Sequence, residues 1–298
     1  MTGLEGKAFV SEGQEPTAVE VSDLKKVYGK VTALKGVDLR VQSGTIFGLV
    51  GPNGAGKTTL IKALVGALRP SAGTIRVLGL DPLEQRWALR RQIGYMPQST
   101  ALYDDLSARA NILFFNRAQP VDDLPAKVDD ILAFTELTDR ADDPINTFSG
   151  GMKKRVSLAC ALVHQPRIIF LDEPTAAVDP HLRSRMWGLF RTLVCQAATI
   201  FISTHLMEEA LLCDQVAVLR QGAIIADDRP SHILEAGRAR LAVHHHGQKE
   251  EQTIASTPEA LASGLRPYGL APEVEAVSVE ADSLEDVIVA IIEARGEK

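Results

Sequence analysis

Thr45-Ile46-Phe47-Gly48-Leu49-Val50-Gly51-Pro52-Asn53-Gly54-Ala55-Gly56-Lys57-Thr58-Thr59 is the stretch that decides the architecture. Its first six residues are a short apolar run closed by a Gly-Pro turn, as expected of a strand buried on both faces of a parallel sheet. Residues 51–58 then fit G-x-x-x-x-G-K-[ST] at every position. Main-chain N–H groups can encircle a polyphosphate only where no Cβ intrudes, and glycines at 51, 54 and 56 clear that path. Thr58 to Leu68 reads as a helix, with Leu60, Leu64 and Leu68 at i, i+4, i+8, and its N-terminus points at the phosphates. Lys57 is expected to neutralise β/γ oxygens, and the Thr58 hydroxyl to ligate Mg²⁺.

Downstream, Arg167 to Leu171 forms a second buried strand that ends in Asp172-Glu173, and Thr199 to Ser203 forms a third. Strands alternating with helices predict an α/β fold with a mostly parallel sheet, whose ligands bind at the carboxyl ends of the strands. Asp172 is placed to hold Mg²⁺ directly or through water, and Glu173 to polarise an attacking water. Between them, about residues 99–150, Pro120, Pro125 and Pro144 punctuate helical pattern such as Leu124 to Leu137, which reads as a helical insert. Ser149-Gly150-Gly151 follows, before a helix over Lys153 to His164, and offers a second anion cradle. The chain so far has two phosphate cradles and one pair of catalytic carboxylates. That surplus makes sense if each cradle serves the nucleotide of a second copy.

The remaining composition is that of a soluble globular chain. Of 298 residues, 45% are hydrophobic and 23% charged, with a net charge of −6 that calls for no nucleic acid. The longest uncharged runs, Val41 to Gly56 and Thr192 to Met207, are 16 residues each. Both fall short of the roughly 18 needed for a membrane span. Cys160, Cys195 and Cys213 have neither a disulfide pattern nor metal spacing. Residues 1–16 read as a mobile leader and 17–237 as the main domain. Residues 238–298 read as a small C-terminal α+β module, joined through a polar linker containing His244-His245-His246. In that module Glu273 to Glu280 is a candidate strand, and Ser283 to Arg295 a helix opened by a Ser283/Asp286 cap. Deleting the module is expected to spare the catalytic core.

Gly51 to Thr58, Gln98, Ser149-Gly150-Gly151, Leu171-Asp172-Glu173-Pro174, Asp179 and His205, in this order, resemble an ABC transporter ATPase subunit over roughly residues 17–237. The resemblance implies a P-loop NTPase core with an antiparallel β portion and a helical subdomain, and ATP with Mg²⁺ as its ligands. It also implies that Tyr28 stacks on adenine, Gln98 touches Mg²⁺ or the water, Asp179 crosses a dimer interface and His205 contacts the γ-phosphate. Phe-Ser-Gly-Gly-Met at 148–152 departs from the usual Leu-Ser-Gly-Gly-Gln, and Thr175-Ala-Ala-Val-Asp179 from the usual Ser-Gly-Leu-Asp. Both departures are similar to the branch that exports drugs, lipids or polysaccharides. The expected partners are separate transmembrane permease subunits and a second ATPase protomer, as a homodimer. The expected location is cytoplasmic, on the inner face of the cell membrane. The permease grip falls near Gln98 to Arg117, where Phe114 and Phe115 are contact candidates, although adjacent aromatics also fit a half-core position. A non-transport ABC ATPase of translation or repair is the alternative, against which stand the single cassette and the lack of heptads. A P-loop kinase or GTPase would not need Ser149-Gly150-Gly151.

Overall fold

The computed structural model describes residues 16–119, 121–245, 247–269 and 274–294. Apart from Pro16, the expected leader lies outside the described residues, as does His246. The decisive strand forms as β3 (Ile46–Val50), buried at every position. Phe47 and Leu49 enter one apolar core while Ile46 and Val50 enter another, which explains why the run does not alternate with polar residues. Around β3 stand β5 (Ile93–Met96), β6 (Ile168–Asp172), β7 (Thr199–Thr204), β8 (Gln215–Arg220) and β9 (Ala223–Asp228), in the order β5-β6-β7-β3-β8-β9. All neighbours are parallel except β8 and β9. Val50 pairs with Thr204 and Asp172 with Ser203, so the carboxyl ends of β3, β6 and β7 finish along one edge.

A separate antiparallel sheet, β1 (Thr17–Tyr28), β2 (Val31–Gln42) and β4 (Ala72–Val77), runs in the order β2-β1-β4. Its Leu24, Leu34, Val37 and Val41 share the first core with Phe47, Phe170 and Phe201, and with Leu60, Ile61 and Leu64 of α1 (Lys57–Leu64). α1 ends four residues before the sequence predicts. Gly66 turns left-handed at φ 70° beyond Leu64, and Leu68 folds back to the Lys62 carbonyl. A short α2 (Arg86–Arg90) precedes β5.

The predicted insert contains α3 (Ala108–Asn116) and α4 (Leu124–Phe134), and leads into α5 (Gly150–Leu162). Its own core joins Ala108, Ile112, Val128, Leu132 and Ile145 to Val156, Ala159 and Val163. α5 thus serves two cores, since Leu158, Ala161 and Leu162 face the second one. α5 also starts earlier than the predicted Lys153. Ser149 caps it by accepting from the Met152 N–H, which draws both glycines into the first turn.

α6 (Pro180–Cys195), α7 (Met207–Ala210) and α8 (Pro230–Glu235) complete the main fold. Then come β10 (Arg238–His245), β11 (Gln248–Ala255), α9 (Pro258–Leu265), β12 (Val274–Ala281) and α10 (Leu284–Ala294), with sheet order β11-β10-β12. Two expectations change here. His244 and His245 lie within β10, the central strand of that sheet, where the sequence reads as a linker. Leu284, Val287 and Ile288 of α10 return to the second core, beside Ala210, Ile225 and Ile233. Through α10 the 238–298 segment is therefore packed onto the main fold, where the sequence reads it as a separate module. Among the described residues, no helix is long and apolar enough to cross a membrane.

Candidate nucleotide site

The loop leaving β3 surrounds a cavity of ≈ 330 Å³ lined by Pro52 to Thr59, Ala33, Gln98 and Glu173. Gly51 is required by close approach, because a Cβ there would lie 2.1 Å from the Leu219 carbonyl oxygen. Gly56 caps α1 at φ 111° and brings no side chain to the first-turn N–H groups, an arrangement that suits an anion. The Lys57 ammonium is buried. It donates to the Gly51 carbonyl at 2.6 Å and faces Glu173 Oε1 at 3.0 Å.

β6 delivers the carboxylates. Asp172 Oδ1 accepts from the Ser203 hydroxyl at 2.6 Å, while Asp172 Oδ2 is buried with no hydrogen-bond partner among the described residues. Glu173 adopts φ 52°, a left-handed conformation that L side chains rarely take, so the strand breaks there. Its N–H donates to Ser203 Oγ at 3.1 Å, and its Oε2 lies 2.6 Å from His205 Nδ1. The two oxygens of Glu173 thus face Lys57 on one side and a half-exposed imidazole on the other. Burial, reinforced by Asp172, pushes the Tyr95 phenol up to about 12. Burial also holds the Lys154 ammonium below the usual lysine range, against the opposing pull of Glu173 and Asp172.

The structure brings Lys57, Thr58, Gln98 and Glu173 around one cavity and sets Asp172 and His205 beside them. Tyr28 lies at the end of β1, 47% exposed, with the Lys26 ammonium 4.9 Å from its ring. It lies outside that cavity lining. Ser149 and Gly151 line a different cavity, of ≈ 520 Å³, together with Met152, Arg155, Val178 and Asp179. The two cavities share no lining residue. Gly150 adjoins this second cradle, and a Cβ there would meet open space. Asp179 caps α6 by accepting from the Leu182 N–H at 3.0 Å. Sequence reasoning missed Ser203, which holds both carboxylate residues, and Lys154. The Ser-Thr-His order at 203–205 contains Ser203, but nothing in it points to a carboxylate.

The ABC transporter family profile matches residues 34–176. A Nod factor export ATP-binding protein I of Rhizobium meliloti is 34% identical over 288 residues, 94% of this chain and 86% of that protein. The chain belongs to the ABC transporter family. The daunorubicin resistance ATP-binding protein DrrA3 of Streptomyces coeruleorubidus is 39% identical over 231 residues, covering 76% of this chain and 73% of its own length. These relatives place the chain in the exporter branch of the ABC family, as an ATP-binding subunit and an ATPase. Among solved structures, a dimeric ATP-binding cassette in a post-hydrolysis state with ADP and Pi is similar at TM-score 0.66 and 26% identity, over 71% of this chain and 98% of that one. CbiO1 of Clostridium perfringens, part of an ABC transporter complex, gives 0.66 at 30% identity, over 74% and 91%.

Proposed function

We propose that the chain powers export by ATP-driven, head-to-tail closure of two copies, each covering the other's nucleotide. One observation carries this reading: the phosphate loop and the Ser149–Gly151 cradle open into separate cavities, so a single copy offers two half-sites. The triphosphate lies along Gly51 to Thr59, with Tyr28 against the base. Its β/γ oxygens compete with Glu173 for the Lys57 ammonium and release Glu173 Oε1 toward the water. Glu173 then acts as base, and His205, 2.6 Å from it, orients that carboxylate and reaches the γ-phosphate. Ser149, Gly150 and Gly151 of the second copy supply N–H groups to the same phosphate, and Asp179 meets the facing protomer. Because ATP favours the closed dimer over the open one, binding drives closure, and loss of the γ-phosphate reverses it.

The residues present fit Mg²⁺. Asp172 Oδ2 is a buried carboxylate oxygen without a partner, and the Thr58 hydroxyl and the Gln98 amide are further hard donors. Among the described residues, no group of three or more His, Cys, Asp or Glu could hold an ion unaided, so the phosphates would complete the site. The ion would neutralise charge between the β- and γ-phosphates.

The motion passes to separate membrane subunits, placing the protein on the cytoplasmic face of the membrane. Tyr103, Phe114 and Phe115 form an exposed aromatic group on the insert, with centroids 4.8–5.9 Å apart, and would receive the permease. In the same reading, residues 17–237 are the ATPase domain and 238–298 an accessory part. The Glu173→Gln variant should bind ATP, lose turnover and double its mass when ATP is added, as measured by light scattering. Native turnover, or an unchanged mass, would refute the scheme.

A further inference from the structure

Lys154 lies on α5, one turn after the Ser149–Gly151 cradle. Its ammonium is half-buried and donates to the main-chain carbonyl of Glu173 at 2.7 Å; it also reaches the Gln98 carbonyl at 3.5 Å. Glu173 is the residue that leaves β6 in a left-handed conformation. On its amino side, Ser203 fixes it through the hydroxyl at 3.1 Å and the carbonyl at 3.2 Å. On its carbonyl side, the contacts are the Ala176 N–H at 3.3 Å and Lys154. Of these anchors only Lys154 comes from the helix that begins with the second cradle.

We infer that Lys154 is a positioning residue for hydrolysis: by holding the Glu173 carbonyl it maintains the left-handed backbone that aims the Glu173 carboxylate at the phosphate loop. It also ties that aim to the position of α5. When the first turn of α5 engages the nucleotide of a second copy, the helix carries the ammonium with it, and the Glu173 peptide follows. Each chain thereby couples the nucleotide it covers to the base of its own site. The inference rests on the reading of Glu173 as the base.

The test compares the full chain with Lys154→Met, which keeps the apolar stem without a donor, and Lys154→Arg, which restores one. Lys154→Met should lower kcat by up to roughly 100-fold, the scale of a small misplacement of a reacting group, with KM for ATP and melting temperature unchanged. Lys154→Arg should recover much of that loss. In a Glu173→Gln background, Lys154→Met should still dimerise with ATP, because the cradle itself is untouched. Native kcat in Lys154→Met alongside an inactive Glu173→Gln overturns the Lys154 role alone. So does a fall in kcat that tracks a fall in melting temperature and is not rescued by arginine. Native turnover in Glu173→Gln overturns both readings.

Discussion

At the residue scale, Ser203 holds the acidic end of β6 together: its hydroxyl donates to Asp172 Oδ1 while accepting the Glu173 N–H. Removing it leaves a buried carboxylate oxygen short of its donor, which costs about 1–3 kcal/mol. Ser203→Ala should therefore lower stability by that amount in urea unfolding and slow turnover, with the fold retained. Unchanged stability and kcat would show that the hydroxyl is dispensable. Gly51 to Thr58 was legible in the sequence because a phosphate cradle is built by consecutive residues. Ser203 and Lys154 were not legible, since their partners lie 30 and 19 positions away in the chain. Tyr28 was placed by resemblance alone, and in the fold its ring is half-exposed beneath the Lys26 ammonium.

At the element scale, the interiors of strands and helices followed the apolar pattern, whereas their ends followed capping chemistry. α4 stops at Phe134, although the pattern continues to Leu137. Glu136 turns left-handed at φ 55°, with Glu136 N–H bonded to Ala133 and Leu137 N–H to Leu132. This is a Schellman closure, and Leu132 and Leu137 meet in the insert core beside it. No glycine announced it. The start of α10, by contrast, was readable. Ser283 and Asp286 bond reciprocally, with the Ser283 N–H donating to Asp286 Oδ2 at 2.9 Å and the Asp286 N–H to Ser283 Oγ at 3.1 Å. Asp286→Ala should lower the melting temperature in thermal unfolding, because half of that exchange is lost. A melting curve identical to the native one would deny the box any role.

At the scale of the whole molecule, three cores divide the work, and α10 belongs to the second despite lying at the far end of the chain. Fully burying a side chain such as Leu284, Val287 or Ile288 is worth about 1.5–3 kcal/mol, against a typical total stability of about 5–15 kcal/mol. A chain ending at Asp282 should accordingly melt well below the full chain and expose Ile233 and Ala210 to solvent. Dye binding and differential scanning calorimetry would report both effects. A native melting temperature would show that α10 rests on the core without stabilising it.

By itself the sequence determined the phosphate loop, the acidic strand end, the second cradle and the α/β class, because each is written in neighbouring residues or in a short period. Tertiary structure alone decided that Glu173 stands between Lys57 and His205, that the two cradles face different cavities, that β10 takes in His244 and His245 and that α10 closes the second core. Those outcomes depend on which distant surfaces bury one another. Side-chain burial is a property of the packed chain, and no local pattern encodes its partners.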